Sequence, residues 1–197
     1  MSVPDPIPST HEWPAMLTWQ SSDATRLESV RVNLSGSRVR AYGRIIAAAN
    51  EDHEAFSASY DLVTNDEGIT ERLSVSVLRA SGDQQVSITR DAQGGWLVQT
   101  ISSAVKSGFN GALDVDMQFS AFFNTLLLRR AGLHQGPQDL DVPVMYLRVP
   151  ELELSEVTLQ YRADPNGVRV VSPVSESVVV IDSDGFILDY PGLSRRV

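Results

Sequence analysis

The sequence predicts a mostly β fold, an antiparallel barrel or sandwich of about 11 to 13 short strands. Three observations predict it. Apolar and polar residues alternate over most of the chain from Met16 onward. Turn signals recur at spacings near the roughly 8 to 12 residues typical of antiparallel barrels and sandwiches. Apolar residues make up 42% of the chain, which is enough to build a core.

The first predicted strands end at turns rich in glycine and asparagine. Residues 30–34 alternate and stop at Ser35-Gly36-Ser37, and residues 56–62 and 73–77 alternate in the same way. Glycine and asparagine adopt the positive φ of a hairpin turn at low cost, so we expect consecutive hairpins. Further turn signals stand at Gly94-Gly95, Pro165-Asn166-Gly167 and Asp184-Gly185.

One segment breaks the alternation and predicts a short helix near residues 121 to 131. Ser120 is a suitable N-cap, apolar residues recur four apart, and Gly132 follows Arg129-Arg130 where a helix would end. Apolar side chains cover more than one stripe of this helix. We therefore expect it to pack on the sheet or to insert into its opening.

The two ends of the chain differ in composition. Residues 1–14 are rich in proline and predict a mobile leader, and residues 15–197 predict a single β-rich domain. The leader lacks the basic cluster and apolar run of a secretory signal. The chain contains no cysteine and no apolar stretch near the ~18 residues of a membrane-spanning helix. We expect a cytoplasmic protein without integral membrane insertion.

Charge and motifs exclude several classes of function. The 25 acidic residues outnumber the 16 basic ones and give a net charge of −9, which disfavours nucleic-acid binding. The chain has no Gly-x-Ser-x-Gly motif and no glycine-rich phosphate loop, so we predict no cofactor and assign no catalytic residue. His11, His53 and His134 share no ligand spacing, and no metal site is predicted.

Asp114 and Asp116 are the strongest polar candidates, because they face the same side of a predicted strand. Carboxylates at positions i and i+2 lie roughly 6.5 to 7 Å apart along a strand, close enough to share a proton or a substrate hydroxyl. Two alternatives remain open. The pair lies on a solvated strand face, or it forms an ion pair with Arg129 or Arg130 that ties the helix to the sheet.

Aromatic residues are concentrated within residues 109–123. They are ordinary core, or they line an apolar cavity of the kind that a curved sheet of eight or more strands can enclose. Such a cavity binds its ligand with a few placed polar groups. The candidate ligand-binding residues are Asp114, Asp116, Phe122, Asn124, Thr125, Arg129, Arg130, Tyr146 and Tyr161.

Several ordered motifs resemble those of one bacterial family. They are Leu113 to Asp116, Phe122 to Arg130, Val149 to Leu152, Gln160-Tyr161, and Asp184 to Leu193 with Arg196. The family is described as putative glycolipid-binding, and its fold resembles the periplasmic lipoprotein localisation factors. The resemblance implies that the antiparallel sheet is half-open and barrel-like, that it surrounds an apolar cavity, and that a helix lies near the opening. The family's Pro-Phe-Thr-Asn-Thr-Leu-Pro is here Ala-Phe-Phe-Asn-Thr-Leu-Leu at residues 121–127, without either proline.

These observations lead to three hypotheses of function. The first is a non-catalytic protein that holds a glycolipid or other lipid in an apolar cavity. The second is a small hydrolase or isomerase that uses Asp114 and Asp116 with Arg129 or Arg130 at a developing anion. The third is a structural or protein-interaction module with a filled core. Exposed strand edges in an incompletely closed sheet also make a homodimer one expectation.

Overall fold

The structure, a computed structural model, describes residues 12–136, 138–172 and 175–197. These residues form fifteen strands and one α-helix. The strands are β1 Ala15–Gln20, β2 Arg26–Ser35, β3 Arg38–Ala47, β4 Phe56–Thr64, β5 Thr70–Arg79, β6 Gly82–Arg90, β7 Trp96–Gln99, β8 Ala104–Ser107, β9 Asp114–Met117, β10 Leu140–Arg148, β11 Glu153–Asp164, β12 Gly167–Val171, β13 Glu176–Ile181, β14 Ile187–Tyr190 and β15 Ser194–Arg196. The helix α1 is Ala121–Arg130, and a short 3-10 turn covers Phe109–Gly111.

All fifteen strands belong to one sheet with the order β8-β7-β6-β5-β4-β3-β2-β1-β15-β14-β13-β12-β11-β10-β9. Neighbouring strands are antiparallel except β9 and β10, which are parallel. Strands β8 and β9 are the two edges, so the sheet is open. The predicted fold class is confirmed. The strand number exceeds the predicted 11 to 13 because strands such as β8 and β15 have only four and three residues, too few for alternation to reveal.

Buried and partly exposed residues alternate along the strands, and the buried ones form the inner face of this sheet. In β4, Phe56, Ala58, Tyr60 and Leu62 are buried, and the residues between them are partly exposed. The β2–β3 turn contains Gly36 with φ +62°, and the β4–β5 turn contains Gly68 with φ +80°. Glycine adopts this left-handed backbone without the steric cost of a Cβ atom. Alternation and turn chemistry therefore agree in this half of the sheet.

The helix α1 lies inside the curved sheet. Its first eight residues, 121–128, are all buried. Its side chains contact β4 through Tyr60 and β11 through Tyr161, and its first backbone amides contact β2 through Glu28. These strands are far apart in the sheet order. The sheet must therefore curve around the helix. The predicted helix is confirmed, and without the family's two prolines this segment keeps its backbone donors.

The N-terminal boundary of the domain is seen only in part. Residues 1–11, which include His11 and most of the predicted leader, lie outside the described residues. The ring of Trp13 lies 5.1 Å from the ring of Phe186, centroid to centroid. The end of the predicted leader thus contacts the residue that follows the turn after β13.

Candidate functional site

A buried chain of hydrogen bonds joins α1 to two strands. Asn124 donates from Nδ2 to Oδ1 of Asp116 on β9 at 3.1 Å, and its Oδ1 accepts from the Tyr161 hydroxyl of β11 at 3.3 Å. Tyr146 of β10 is the register partner of Asp116. Each of these four side chains is less than 7% exposed. We call Asp116, Asn124, Tyr161 and Tyr146, together with the neighbouring Asp114–Arg130 pair, the inner polar network.

The Asp114–Arg130 pair joins the C-terminal end of α1 to β9. Arg130 Nη2 lies 2.5 Å from Asp114 Oδ2, and Asp114 is 2% exposed. The expectation of a solvated strand face is therefore wrong for these aspartates, and the alternative of an ion pair with Arg130 is confirmed. Asp114 Oδ1 is buried and has no hydrogen-bond partner among the described residues. The carboxylate thus keeps one free acceptor position.

Burial dominates the protonation chemistry of the network. It raises the pKa of Asp116 to about 7, and the negative charges of Asp114 and Glu28 add to this effect. Burial also raises the pKa of Asp114, although the Arg130 guanidinium opposes that shift. The pKa values of Tyr146 and Tyr161 are raised by burial first and by the Asp116 charge second. Both phenols therefore stay protonated near neutral pH and act as neutral hydrogen-bonding groups.

Glu28 is a buried carboxylate at the other end of α1 that the sequence reasoning missed. It accepts hydrogen bonds from the Tyr60 hydroxyl at 2.7 Å, from the Ser120 hydroxyl at 2.5 Å and from the Ala121 amide at 3.0 Å. The Phe122 amide is 3.4 Å away. These donors lower the pKa of Glu28, but burial outweighs them and raises it. The carboxylate therefore caps the positive end of the helix dipole.

The sequence contains a signal for Glu28. It has the same parity as Val30 and Val32, so the alternation of β2 places it on the inner face. A charged residue at an inward position of an otherwise apolar face needs partners when it is buried. Extending the alternation backwards by one step would have identified it.

Three predicted site residues, Phe122, Thr125 and Arg129, lie outside the inner polar network. The ring of Phe122 stacks on Tyr60 with the centroids 6.1 Å apart, and Tyr60 in turn donates to Glu28. Thr125 donates to the Ala121 carbonyl inside the helix at 3.4 Å. Arg129 donates to the Asp184 carbonyl and lies 5.1 Å from the Phe186 ring. Phe122 and Thr125 are therefore helix-packing residues in this structure.

A small pocket lies between the C-terminal end of α1 and the β2–β3 and β4–β5 turns. Its volume is about 30 Å³. The lining residues are Ser37, Val39, Gly68, Leu126, Arg129 and Arg130. This space admits one or two water molecules and is too small for an acyl chain. We call it the helix-end pocket.

The sequence and the fold were both compared with known proteins. Residues 16–196 match a protein family described as "Putative glycolipid-binding". The chain belongs to this family. The motifs from Leu113 to Asp116 and from Phe122 to Arg130, on which the resemblance rested, form β9 and α1 and contribute most of the inner polar network.

A solved structure supports the fold of this family member. The crystal structure of a DUF1089 family protein from Pseudomonas aeruginosa superimposes with a TM-score of 0.71 and 24% sequence identity. The match covers 96% of this chain and 100% of the other. A comparison with curated proteins gives no match. Within the described part of the chain, no helix has the length and hydropathy needed to cross a bilayer.

Proposed function

We propose that this protein is a non-catalytic binder of an amphiphile, a glycolipid or another lipid with a polar headgroup. The inner polar network would hold the headgroup, and the apolar inner face of the sheet would hold the chain. The family description supports this proposal, since it names glycolipid binding for proteins of this kind. The arrangement of polar groups supports it independently.

The inner polar network is the observation that carries the proposal. A buried carboxylate, an amide and two phenols converge on an otherwise apolar face. Small-molecule sites typically combine apolar walls with a few convergent polar groups. Asp114 Oδ1 is an acceptor without a partner among the described residues, and a sugar hydroxyl would supply the missing donor.

The alkyl chain of the ligand has to displace part of α1, because this helix occupies the interior of the sheet. Burying an alkyl chain yields roughly 0.8 kcal/mol per methylene, so a ten-carbon chain contributes about 8 kcal/mol before ordering costs. That amount is comparable to the cost of exposing a few of the helix's buried side chains. Binding is therefore expected to shift α1 outward and to leave the strands in place.

Native mass spectrometry and titration test this proposal. Protein purified without detergent should carry a co-purifying amphiphile, and n-decyl maltoside added below its micelle concentration should bind with one-to-one stoichiometry. Asp116→Asn should weaken the binding at least tenfold, because it replaces one acceptor oxygen by an NH₂ donor while keeping the side-chain shape. Asp83→Asn, at an exposed position of β6, is the matched control and should bind like the wild type. Apo mass only, together with no titration signal, would overturn the proposal.

A structural or protein-interaction module with a filled core is the second candidate. The eight consecutive buried residues of α1 favour it, since they fill the interior of the sheet with the protein's own side chains. This candidate predicts that decyl maltoside changes neither the mass nor the unfolding midpoint of the protein. The same titration therefore distinguishes the two functions.

A further inference from the structure

We infer that the outer face of strands β1 to β5 is a docking surface for a protein partner that presents acidic and aliphatic side chains. The residues of these strands that alternate with the buried ones form this surface, which we call the arginine face. It lies on the side of the sheet opposite α1 and the inner polar network. The inference therefore does not depend on the proposed function.

Three arginines surround one tyrosine at the centre of the arginine face. Arg40, Tyr42 and Arg44 alternate along β3, and Arg31 on β2 is the register partner of Tyr42. The Arg40 guanidinium lies 5.2 Å from the centroid of the Tyr42 ring, and all four side chains are exposed. None of the three arginines forms an ion pair within the part of the chain that the structure describes.

The nearby aspartates compensate only the outer arginines of this face. Asp61 on β4 pairs with Arg72 on β5 at 3.6 Å. Arg38, at the start of β3, pairs with Asp66 in the β4–β5 turn at 3.1 Å. The three arginines around Tyr42 therefore keep about three positive charges that these pairs do not cancel.

The other acidic side chains of this half of the chain lie at the rim of the face. Between residues 15 and 90, the remaining exposed acidic residues are in turns or at strand ends: Asp23, Glu51, Asp52, Glu67, Glu71 and Asp83. Tyr42 lies at least four residues from either end of β3, roughly 13 Å along the strand, which exceeds the Debye length of about 8 Å at physiological salt. The centre of the arginine face is therefore positive, although the whole chain carries −9.

An apolar row borders the three arginines. Leu27 and Ile46 are register partners, and Leu78 lies two strands further on in the same row. Their exposed fractions are 39%, 53% and 48%. Together with Met16 and Tyr42, they are five of the eight large apolar side chains that are exposed among the described residues. Such a concentration marks a binding surface, and arginine, tyrosine and methionine are enriched in protein interfaces.

The arginine face has the size of a protein interface. It spans five strands with about four outward residues each, which is roughly 20 Å by 20 Å between Cα atoms. With its side chains it approaches the roughly 800 Å² that one partner contributes to a standard interface. Carboxylates of the partner would pair with the three arginines, and aliphatic side chains would cover the apolar row.

Two other occupants fit this face less well. A second copy of the same face would set arginines against arginines, which costs electrostatic energy. An anionic membrane would require the apolar side chains to enter it by about 5 to 10 Å. The serines at the outward positions of β4 and β5, such as Ser59 and Ser76, would then lose water as well, which opposes insertion.

The test titrates a capped synthetic peptide, Glu-Leu-Asp-Gly-Glu-Leu-Asp, into the full chain labelled with nitrogen-15. We expect saturable NMR shifts of the backbone amides of β2 to β4 and of the Nε–H signals of Arg31, Arg40 and Arg44. A peptide with lysine at each acidic position should cause no such shifts. A peptide with glycine at each leucine position should bind at least threefold more weakly.

Matched variants separate the arginine face from the overall charge. Arg44→Glu should weaken peptide binding at least tenfold, because it puts a repulsive charge at the centre of the face. Lys106→Glu, on the exposed edge strand β8, changes the net charge equally and should leave binding unchanged. Ile46→Ser should weaken binding at least threefold, whereas Ile101→Ser, at a 91% exposed position between β7 and β8, should not.

Three results would overturn the inference. The first is the absence of saturable shifts with the acidic peptide, or equal weakening by Arg44→Glu and Lys106→Glu. The second is co-sedimentation with vesicles of phosphatidylcholine and phosphatidylglycerol in equal amounts that Arg44→Glu abolishes, which would assign the face to a membrane. The third is self-association in analytical ultracentrifugation that Ile46→Ser abolishes, which would assign the face to a second copy of the chain.

Discussion

At the scale of single residues, Glu28 determines where α1 begins. Its carboxylate faces four donors, two hydroxyls and the first two amides of the helix. Two of these donors are backbone N–H groups that no side-chain reorientation can turn into acceptors. Both N–H groups point to Oε2, which must therefore accept, whereas Oε1 receives the two hydroxyls, which can also reverse and accept.

Glu28→Gln should lower the free energy of unfolding by about 1 to 2 kcal/mol, because a neutral amide oxygen accepts the two backbone N–H bonds more weakly than a carboxylate does and the new NH₂ group requires both hydroxyls to reverse. Urea unfolding followed by circular dichroism measures this change. Glu71→Gln, at an exposed position of β5, is the matched control and should change stability by less than about 0.5 kcal/mol. Equal stability of the two variants would show that the carboxylate does not hold the helix.

The raised pKa of Asp116 makes the free energy of unfolding depend on pH. Its pKa is raised to about 7 in the folded protein, whereas an unfolded aspartate titrates near pH 3.9. Between these values the folded state binds the extra proton, so the free energy of unfolding falls as pH rises. The fall amounts to roughly 4 kcal/mol over the window, and it is complete above pH 7.

Asp116→Asn removes this titration. Unfolding curves of both proteins at several pH values between 4 and 8 should show wild-type stability falling relative to the variant until about pH 7, then running parallel. The Asp83→Asn control should follow the wild type over the whole range. Parallel profiles for wild type and Asp116→Asn between pH 4 and 7 would contradict the raised pKa.

At the scale of elements, the packing of β3 against β4 positions the partner of Glu28. Gly43 and Tyr60 are register partners, and the Tyr60 ring lies directly over Gly43. A Cβ atom at position 43 would stand 2.1 Å from Tyr60 Cζ. The glycine therefore provides the space in which Tyr60 reaches Glu28 and stacks on Phe122.

Gly43→Ala should lower the free energy of unfolding by about 2 to 4 kcal/mol, since Tyr60 must leave its place and its hydrogen bond. Gly108→Ala is the matched control, because its φ is −81° and no heavy atom lies within 4 Å of the added Cβ. The control should be neutral or stabilising by less than about 1 kcal/mol. Thermal unfolding compares the two, and a neutral Gly43→Ala would rule out the tight Tyr60 contact.

Alternation and turn residues were sufficient to predict the strands around residues 30–34, 56–62 and 73–77 and the helix after Ser120. They could not predict how the sheet curves. Glu28 and Tyr60 are far apart in sequence, and only the register of β2 through β4 brings them together. Asp114 and Asp116 were identified as a pair, but their burial depends on α1 covering β9, which period-two patterns do not encode.

At the scale of the whole molecule, the sheet keeps two free edges and curves around its own helix. Strands β8 and β9 are the two edges, and each pairs with one neighbour only. The helix α1 fills the concave side of the sheet. Edge strands provide free backbone donors and acceptors, on which the expectation of a homodimer rests. The cytoplasmic location, the homodimer, the leader at residues 1–14 and the likeness to lipoprotein localisation factors stay predictions.

The central claim is that an amphiphile binds inside the sheet, at the inner polar network. The most direct measurement is a set of intermolecular NOEs from unlabelled decyl maltoside to the protein. The protein is deuterated except at its methyl and aromatic groups. We predict NOEs from the ligand chain to Phe122, Leu126 and Leu127 and from its sugar to Tyr146 and Tyr161. NOEs confined to exposed side chains of the outer face, such as Ile46 and Leu78, would contradict the account.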